Sequence, residues 1–395
     1  MHFLMIVHNV VGKGTYWRAL YLARGLAKRE HEITIVATSR DHHFRPRISF
    51  DGQTGVRIIE SPDLFKGPLR SGWDLWNSLS RIIQTYRLRV DLVHAFESRP
   101  VVILPALFWQ RWQRVPLVMD WSDWFGRGGA VEERPNQLLR AFLRPVETFF
   151  EEYFRTWADG TTVINSFLYE RAVNLGIDPN YILLLPNGCN IDEICPVSQL
   201  EARKILGWPE DIYILGYIGA IFQADAELMA QSFEILHRME PRSRLLIIGY
   251  CNIAVETMVK ASGAVWRTGW VDYRDLNLYL GACDVCWLPM RDSGANWGRS
   301  PLKLNDYMAA GRPVVITNVG DVAKLVAKGN FGLVVNDDPE DLAKAVFQLL
   351  KDPILRKEMG KQARYLAESE FAWDFIAAKL LLFYNKVGRR YGFNT

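Results

Sequence analysis

The chain has 395 residues, 49% apolar and 23% charged, which is an ordinary globular composition and long enough for two domains. It excludes a disordered or collagen-like chain, and 5 scattered cysteines do not form a disulfide framework. No apolar run reaches the roughly 18 residues of a membrane-spanning helix, and the apolar start at residues 3–7 is too short for a signal sequence. We therefore expect a cytoplasmic protein.

The first half of the chain alternates short apolar runs with amphipathic segments. The runs are continuously apolar, which is typical of strands buried on both faces of a parallel sheet. Strands are predicted at residues 3–7, 33–36, 56–59, 91–94, 117–119, 161–164 and 181–185. Helices are predicted between them, at 16–29, 73–86 and 167–175 among others. The pattern indicates a doubly wound, Rossmann-like α/β domain.

The same pattern starts again in the second half. Strands are predicted at residues 213–217, 245–248, 265–268, 285–288, 314–316 and 333–335. The turn signal Pro186-Asn187-Gly188 precedes a stretch without strand-like runs, which places the boundary near 190–205. We expect one domain at 1–195, a second at 205–370, and a helix within 371–395 that is free to pack back on the first domain. Two such domains would face each other across a cleft that binds ligand.

The strongest local signal lies at residues 299–315. Ser300 is a suitable N-cap, Pro301 suits the first helical position, and Gly311 ends the helix before a strand. Free N–H groups at such a helix start attract phosphate, and Lys303 adds a full positive charge there. The residues alone leave two interpretations open, an anion-binding lysine or an ordinary solvated one.

Residues 302–315 resemble the Lys-x-x-Glu-Tyr-Met-Ala-Ala-Gly-Lys-Pro-Val stretch of the retaining glycosyltransferases of family 4, which have the two-domain GT-B fold. The resemblance extends over nearly the whole chain. It includes the glycine-rich loop at 8–15, the strand at 91–94 and the segment 185–192 in the first half. In the second half it includes the segments 216–219, 268–271 and 282–289.

The resemblance implies a donor site for a nucleotide diphosphate sugar, with no other cofactor. Lys303 would face the diphosphate, and Asp306 stands where the family usually has the Glu that binds the ribose hydroxyls. Backbone around Trp270 and Val271 would hold the base. Three glycines would let the backbone approach the diphosphate closely, namely Gly12, Gly14 and Gly219.

The sequence departs from the family pattern at the phosphate contacts. Ala220 stands where the family usually has Arg, and residues 221–225 lack the Lys that the family usually has a few positions later. Gly298 replaces the first Glu of the family's Glu-x7-Glu pair. The leaving-group charge would therefore fall mainly on Lys303, with Arg299 as a helper. Asn296 is the candidate for the donor-sugar contact.

Two carboxylates follow the predicted strand at 117–119. Carboxyl ends of parallel strands carry binding loops, so we expect Asp123 to orient or deprotonate the acceptor hydroxyl, with Asp120 close behind. Glu97 is a further candidate of the same kind. The alternative, for each carboxylate, is a plain turn-capping role.

Aromatic and basic residues concentrate in the first domain. Residues 1–145 hold 21 Lys and Arg against 13 Asp and Glu, too mild and scattered an excess for nucleic acid. Trp109, Trp112 and the aromatic stripe at 137–157 beside Arg140 and Arg144 suit a membrane interface. The alternative for 137–157 is a helix whose apolar stripe packs on the sheet.

Together these observations predict a retaining, metal-independent hexosyltransferase that acts on a lipid-linked or polysaccharide precursor at the inner face of the membrane. No metal is expected, because Lys303 and helix N–H groups can stabilise the departing diphosphate. Two alternatives remain. One is a nucleotide-sugar epimerase of the same fold, and the other is a non-catalytic nucleotide-sugar-binding protein.

Overall fold

The protein was analysed as a computed structural model that describes residues 1–41, 44–65, 72–134 and 136–393. Two compact units are present. Unit 1 comprises Met1–Asn187, Gly298–Ser300 and the chain from Trp373 onward, and unit 2 comprises Gly188–Trp297 and Pro301–Ala372. The first division falls at 187/188, a few residues before the predicted end of the first domain at 195. The short segment Gly298–Ser300 lies in unit 1 although the prediction placed it in the second domain, because no pattern in the sequence distinguishes it from its neighbours.

Unit 1 is built on an eight-stranded sheet with the order β3-β4-β2-β1-β5-β6-β7-β8. Its strands are β1 (His2–Val10), β2 (Glu32–Thr38), β3 (Arg47–Phe50), β4 (Arg57–Ser61), β5 (Leu92–Phe96), β6 (Leu117–Trp121), β7 (Gly160–Val163) and β8 (Ile182–Leu184). The central strand β1 is parallel to both neighbours, with Met5 opposite Ile35 on one side and His94 on the other. All pairs are parallel except β3 with β4.

Every strand predicted in the first half is confirmed, and β3 is the strand that the sequence did not reveal. Its residues are mostly exposed, and it lies antiparallel at the sheet edge. A short strand that buries little apolar surface does not produce the continuous apolar run that marked the others.

The helices of unit 1 are α1 (Thr15–Ala27), α2 (Leu75–Thr85), α3 (Pro100–Trp112), α4 (Gln137–Tyr153), α5 (Ser166–Asn174) and the C-terminal helix, α14 (Trp373–Gly388). The C-terminal helix packs along α1. Tyr21 stacks on Trp373 with 5.3 Å between ring centroids, and Arg29 donates to the carbonyl oxygen of Asp374 at 2.8 Å. The backbones approach closely because Gly25 has no side chain to hold them apart.

Unit 2 is built on an all-parallel six-stranded sheet with the order β11-β10-β9-β12-β13-β14. Its strands are β9 (Tyr213–Ile218), β10 (Ser243–Ile248), β11 (Val265–Arg267), β12 (Val285–Leu288), β13 (Val314–Thr317) and β14 (Gly332–Val335). Its helices are α6 (Gln199–Leu206), α7 (Gln223–Met239), α8 (Leu276–Ala282), α9 (Gly294–Trp297), α10 (Leu302–Ala309), α11 (Gly320–Gly329), α12 (Pro339–Lys351) and α13 (Pro353–Ser369). All predicted strands of this half are confirmed. Cys283 and Cys286 are buried in its core as free thiols.

The contact between α1 and the C-terminal helix can be tested at Gly25. A methyl group added there would overlap Ala377, so we expect Gly25→Ala to lower the free energy of unfolding by about 1–3 kcal/mol. The sign is informative, because Gly→Ala in a helix ordinarily stabilises by about 1 kcal/mol. Urea titration measures it, with Gly52→Ala as control, since a methyl group at Gly52 meets nothing within 4 Å. A stabilised Gly25→Ala would show that the two helices are not in close contact.

Candidate active site

The start of α10 in unit 2 differs from the prediction. Pro301 is the N-cap and makes no side-chain hydrogen bond to the helix, which begins at Leu302. The predicted capping role of Ser300 is wrong, because Pro301 occupies the N-cap position. Ser300 belongs to unit 1, where its carbonyl oxygen accepts a hydrogen bond from Asn187 Nδ2 at 2.9 Å. Pro301 therefore supplies no side-chain cap to the first turn of α10, in which the Leu304 N–H donates to the Pro301 carbonyl oxygen at 3.1 Å. The N–H groups at such a helix start favour an anion.

Lys303 lies in that first turn and is half-buried. Its Nζ donates to the carbonyl oxygen of Ala220 at 2.9 Å and lies 3.7 Å from the centroid of the Tyr217 ring. Burial lowers the pKa of Lys303 to about 7, although nearby acidic groups, among them Asp225 and Asp306, oppose the shift. A carbonyl oxygen and an aromatic face compensate an ammonium only partly, so an added anion would stabilise the charged form.

Asp306 lies one turn further along α10. Its Oδ1 accepts a hydrogen bond from the Tyr273 hydroxyl at 2.9 Å. Burial raises the pKa of Asp306 to about 7, against the opposing effects of this hydrogen bond and of Lys303. Tyr273 is a partner that sequence reasoning missed, since it is 33 residues away and no local pattern marks it.

The residues predicted to lie around the phosphate and the base are placed at one edge of the sheet of unit 2. Gly219 directly follows β9 with φ +72°, and a Cβ there would meet nothing within 4 Å. Trp270 and Val271 follow β11, and Trp270 is 79% exposed. Carboxyl ends of parallel strands meet at one edge, so the three residues share the edge where such sheets bind ligands.

Asn296 does not present its side chain as predicted. It is buried on α9, and its Nδ2 donates to Asp225 Oδ1 at 3.0 Å and to the carbonyl oxygen of Arg291 at 2.9 Å. Both hydrogens of the side-chain amide are therefore used within the unit. The structure gives Asn296 a role in fixing the loop around Arg291, and the predicted contact with the donor sugar has no support in this geometry.

The glycine-rich loop of unit 1 connects β1 to α1. Gly12 has φ +80° and Gly14 has φ +54°, which favour glycine at both positions. A Cβ at Gly14 would lie 2.7 Å from Asn9 Nδ2, and Asn9 Oδ1 accepts from the backbone N–H of Thr15 at 3.0 Å. A Cβ at Gly12 would lie 3.2 Å from the guanidinium of Arg40. The guanidinium of Arg40, which follows β2, thus lies beside the glycine-rich loop at Gly12.

Asp120 is not accessible to a substrate. The side chain is fully buried and forms a two-point ion pair with Arg18, from Nε at 3.0 Å and Nη2 at 2.9 Å, while Thr162 donates to its Oδ1 at 2.5 Å. Burial disfavours its charge, yet Arg18 holds the pKa of Asp120 below the ordinary value. The predicted catalytic role therefore does not fit this position, and Asp120 is a structural anion. Arg18 was missed because nothing local distinguishes it from a solvated arginine of a helix.

Asp123 remains partly exposed, beside two charged residues of unit 1. Arg299 Nε lies 3.8 Å from Asp123 Oδ1, and Arg299 Nη2 donates to Glu133 Oε2 at 2.7 Å. Burial raises the pKa of Asp123 to about 6, with Arg299 opposing the shift and Glu133 and Asp120 adding to it. Arg299 is thus neutralised by carboxylates within unit 1, which does not fit the predicted role as a helper for the diphosphate. Glu133 had not been singled out in the sequence.

Glu97 lies at the carboxyl end of β5 in a left-handed conformation, with φ +75°. It is buried and accepts a short hydrogen bond from the Ser122 hydroxyl, and among the described residues its Oε2 has no hydrogen-bond partner. Burial and the charge of Asp123 hold the pKa of Glu97 well above the ordinary value. Both effects favour the protonated form of this buried neighbour of Asp123.

The four residues predicted to meet the acceptor or membrane divide into two groups. Trp112 is 76% exposed, whereas Trp109 is buried and its Nε1 donates to Thr85 Oγ1 at 3.2 Å, so the prediction for Trp109 is wrong. Arg140 donates to the carbonyl oxygen of Glu132 at 3.1 Å, and Arg144 pairs with its Oε2 at 2.5 Å. These two arginines fasten α4 to the turn before it.

The described residues contain no group of three or more His, Cys, Asp or Glu side chains arranged to hold a metal ion. Independence of metal stays a prediction. Within the same residues, no helix combines the length and the apolar character needed to cross a bilayer.

The sequence matches two families, one in each half. Residues 13–188 match the glycosyl transferase 4-like domain, and residues 212–352 match the glycosyl transferases group 1. The chain belongs to these glycosyltransferases. The first match falls mainly on unit 1 and the second on unit 2. The resemblance drawn from residues 302–315 is confirmed.

The comparisons with individual proteins place this glycosyltransferase in the GT-B fold. Sucrose-phosphate synthase from Thermosynechococcus elongatus superimposes with a TM-score of 0.75 at 19% identity, covering 98% of this chain and 99% of that one. HepE from Anabaena, solved in complex with UDP-glucose, gives 0.68 at 14% identity, covering 97% and 98%. These two likenesses show the fold alone.

A curated relative is named GDP-mannose-dependent monoacylated alpha-(1-6)-phosphatidylinositol monomannoside mannosyltransferase, from Corynebacterium glutamicum. It is 23% identical over 205 residues, which are 50% of this chain and 54% of that protein. The chain thus matches about half the length of this relative.

The buried Arg18–Asp120 pair yields a stability prediction. Arg18→Met would leave the Asp120 carboxylate buried without its counter-charge, so we expect the free energy of unfolding at pH 7 to fall by about 3–5 kcal/mol. Because the folded-state pKa of Asp120 lies below its unfolded value, this stabilisation is present above about pH 4 and is lost as the pH falls through the folded-state pKa.

Urea titrations at pH 7 and at acid pH measure both effects. Lys28→Met, at the residue that directly follows α1, removes an exposed ion pair with Asp374 and serves as the control, at about 0–1 kcal/mol. Equal losses for the two variants would contradict a dominant role of the buried pair.

Proposed function

We propose that the chain transfers a sugar, with retention of configuration, from a nucleotide diphosphate sugar to a hydroxyl group of an acceptor. Membership in the glycosyltransferases supports the reaction class, and the complex of the Anabaena protein with UDP-glucose supports the class of donor. The observation that carries the proposal is the position of Lys303, a half-buried lysine in the first turn of α10 whose Nζ reaches the Ala220 carbonyl oxygen at the carboxyl edge of the sheet.

Lys303 stabilises the departing diphosphate. As the bond between the sugar and the diphosphate breaks, negative charge grows on the diphosphate oxygen, and a fixed cation in a site of low polarity lowers the energy of that state. The N–H groups at the start of α10 add to this effect. Together they supply the charge that neighbouring Ala220 and Gly219 cannot, and on this proposal the reaction needs no metal.

Asp306 binds the nucleoside. Its carboxylate, oriented by the Tyr273 hydroxyl, accepts hydrogen bonds from the ribose hydroxyls. The exposed ring of Trp270 and the backbone around Val271 lie beside the base. These contacts involve groups that do not change charge during the reaction, so they act on donor affinity rather than on the chemical step.

Asp123 of unit 1 orients or deprotonates the acceptor hydroxyl. Its pKa of about 6 keeps it mainly ionised near neutral pH, and its partial exposure leaves an oxygen that a substrate can reach. Asp120, in contrast, is fully occupied by Arg18. We therefore assign the contact with the acceptor hydroxyl to Asp123.

The proposed acceptor is a lipid-linked or polysaccharide precursor at the inner membrane surface. Support comes from the relative in Corynebacterium glutamicum, whose name specifies a phosphatidylinositol mannoside as its acceptor. The exposed aromatic residues of unit 1, Trp112 among them, also support the proposal, because such side chains bind at the membrane interface.

The donor is to be identified before turnover is measured. We expect one class of nucleotide diphosphate sugar to raise the thermal midpoint of the full chain, because a ligand that binds the folded state stabilises it. The stabilising donor is then incubated with lipid-linked and soluble acceptors, and the anomeric configuration of the product is read by NMR. Binding without transfer to any acceptor would favour a non-catalytic sugar-nucleotide-binding protein, and an altered donor sugar without acceptor would favour an epimerase.

Replacing Lys303 tests the chemical step. We expect Lys303→Ala to lower kcat by about two to three powers of ten, because the charge it supplies is needed most in the transition state. Lys324→Ala, which alters an exposed lysine paired with Asp321 on α11, is the matched control and should keep normal turnover. A folded Lys303→Ala with near-normal kcat would remove Lys303 from the mechanism.

Replacing Asp306 tests donor binding. We expect Asp306→Ala to raise the donor KM far more than it lowers kcat. Tyr273→Phe removes only the orienting hydroxyl and should give a smaller change of the same kind, by about threefold to tenfold. A loss confined to kcat would instead assign Asp306 to the chemical step. Steady-state kinetics with the identified donor distinguish the two outcomes.

A further inference from the structure

Helix α2 of unit 1 packs with its polar side inward. Asn77 and Arg81 are buried, where Asn77 donates to the carbonyl oxygen of Pro62 at 2.8 Å and Arg81 donates to that of Val7 at 2.7 Å. Leu75, Leu79 and Ile83 repeat every four residues on the opposite side and are exposed by about half or more. The helix therefore turns an apolar stripe away from the sheet, the reverse of an ordinary surface helix.

Helix α4 has the same inverted arrangement. Glu147 and Glu151 are buried, where Glu151 accepts from the backbone N–H groups of Phe125 and Gly126. Phe142 and Phe149 are exposed, and Phe142 is 68% exposed. The alternative in which the apolar stripe of 137–157 packs wholly on the sheet is therefore wrong for its N-terminal half, where Leu138, Leu139 and Phe142 are exposed.

The two inverted helices lie on the same face of the sheet. The connections β4 to β5, β5 to β6 and β6 to β7 all run in one direction across the strand order, and right-handed crossovers then place α2, α3 and α4 on one face. Trp73 before α2 contacts Phe150 of α4, with 5.1 Å between ring centroids. We call the exposed residues Leu79, Ile83, Trp112, Phe142 and Phe149 the apolar face.

The segments of α2 and α3 that carry part of the apolar face contain basic residues and no acidic ones. No Asp or Glu occurs from residue 75 to 90 or from 99 to 116. Four exposed arginines lie at the ends of these helices, Arg111 in the last turn of α3 and Arg87, Arg89 and Arg114 in the segments after α2 and α3. Of the acidic residues of α4, Glu147 and Glu151 are buried and Glu152 is paired with Arg171 at 2.7 Å.

We propose that the apolar face docks on an anionic lipid bilayer, with its exposed aromatic and aliphatic side chains at the level of the headgroups and the four arginines against lipid phosphates. The charge selects this occupant, because a second copy of the chain facing the same surface across a twofold axis would oppose arginines to arginines. The inference rests on the proposed function in that it names the surface from which a lipid-linked acceptor is reached.

The experiment is co-sedimentation of the full chain with vesicles of phosphatidylcholine alone or mixed with phosphatidylglycerol, at low and high salt. We expect binding to the mixed vesicles that weakens with salt. Leu79→Gln with Ile83→Gln should weaken vesicle partitioning by about tenfold or more. Ile354→Gln with Leu382→Gln is the matched control, since these side chains are more exposed than Leu79 and Ile83 but lie outside the apolar face.

The arginines are tested in the same assay. Arg87→Gln with Arg89→Gln should weaken partitioning by about thirtyfold, and only on vesicles that contain phosphatidylglycerol. Lys357→Gln with Lys361→Gln, two exposed cations of α13, is the control and should leave partitioning unchanged. Circular dichroism and the thermal midpoint confirm that each variant is folded.

Three results would overturn the proposal. They are no binding of the wild-type chain to mixed vesicles at low salt, equal binding of wild type and Leu79→Gln with Ile83→Gln, or a wild-type dimer that this variant converts to monomer without any vesicle binding. Stabilisation of the same samples by a nucleotide diphosphate is measured in parallel. If it persists while vesicle binding fails, the docking surface is wrong and the proposed donor site stands.

Discussion

The buried ion pair between Arg18 and Asp120 is the constraint on which unit 1 depends. Besides its two contacts with Asp120, the Arg18 guanidinium donates to the carbonyl oxygen of Leu185 at 2.8 Å and to Asn187 Oδ1 at 3.0 Å. One side chain of α1 thereby fixes the end of β6 and the chain segment that leaves β8. A buried charge tolerates only geometries that satisfy it, so this pair limits the conformations available to both elements.

The same pair continues into a chain of polar contacts beneath the C-terminal helix. Asp120 accepts from Thr162, the Thr162 hydroxyl lies 3.2 Å from His94 Nε2, and the Tyr384 hydroxyl lies 2.6 Å from His94 Nδ1. Burial lowers the pKa of His94 to about 3, so the ring is neutral and can act as donor on one nitrogen and acceptor on the other. The C-terminal helix is therefore bound by directional contacts as well as by apolar packing.

The sequence predicted the strands well and the side-chain partners poorly, for a physical reason. A strand buried on both faces must be apolar along its length, so its own residues reveal it. The role of a charged side chain depends on its counter-charge, and for Asp120 and Arg299 that partner lies 102 and 166 residues away. Trp109 shows the same limit, since burial on the inner side of α3 depends on packing against α2. Lys303 and Asp306 could be found because a family motif, not spacing alone, marked them.

The chain enters unit 1 three times, and this has a consequence for the modularity of the molecule. A fragment that ended at residue 187 would lack Arg299, leaving Asp123 and Glu133 without their shared counter-charge. It would also lack the C-terminal helix, baring the surface of α1 around Tyr21 and Gly25. Exchange of the second half between relatives, in the laboratory or in evolution, must therefore keep Gly298–Ser300 and the C-terminal helix with the first half. A single crossover point in the linker would separate residues that pack together in unit 1.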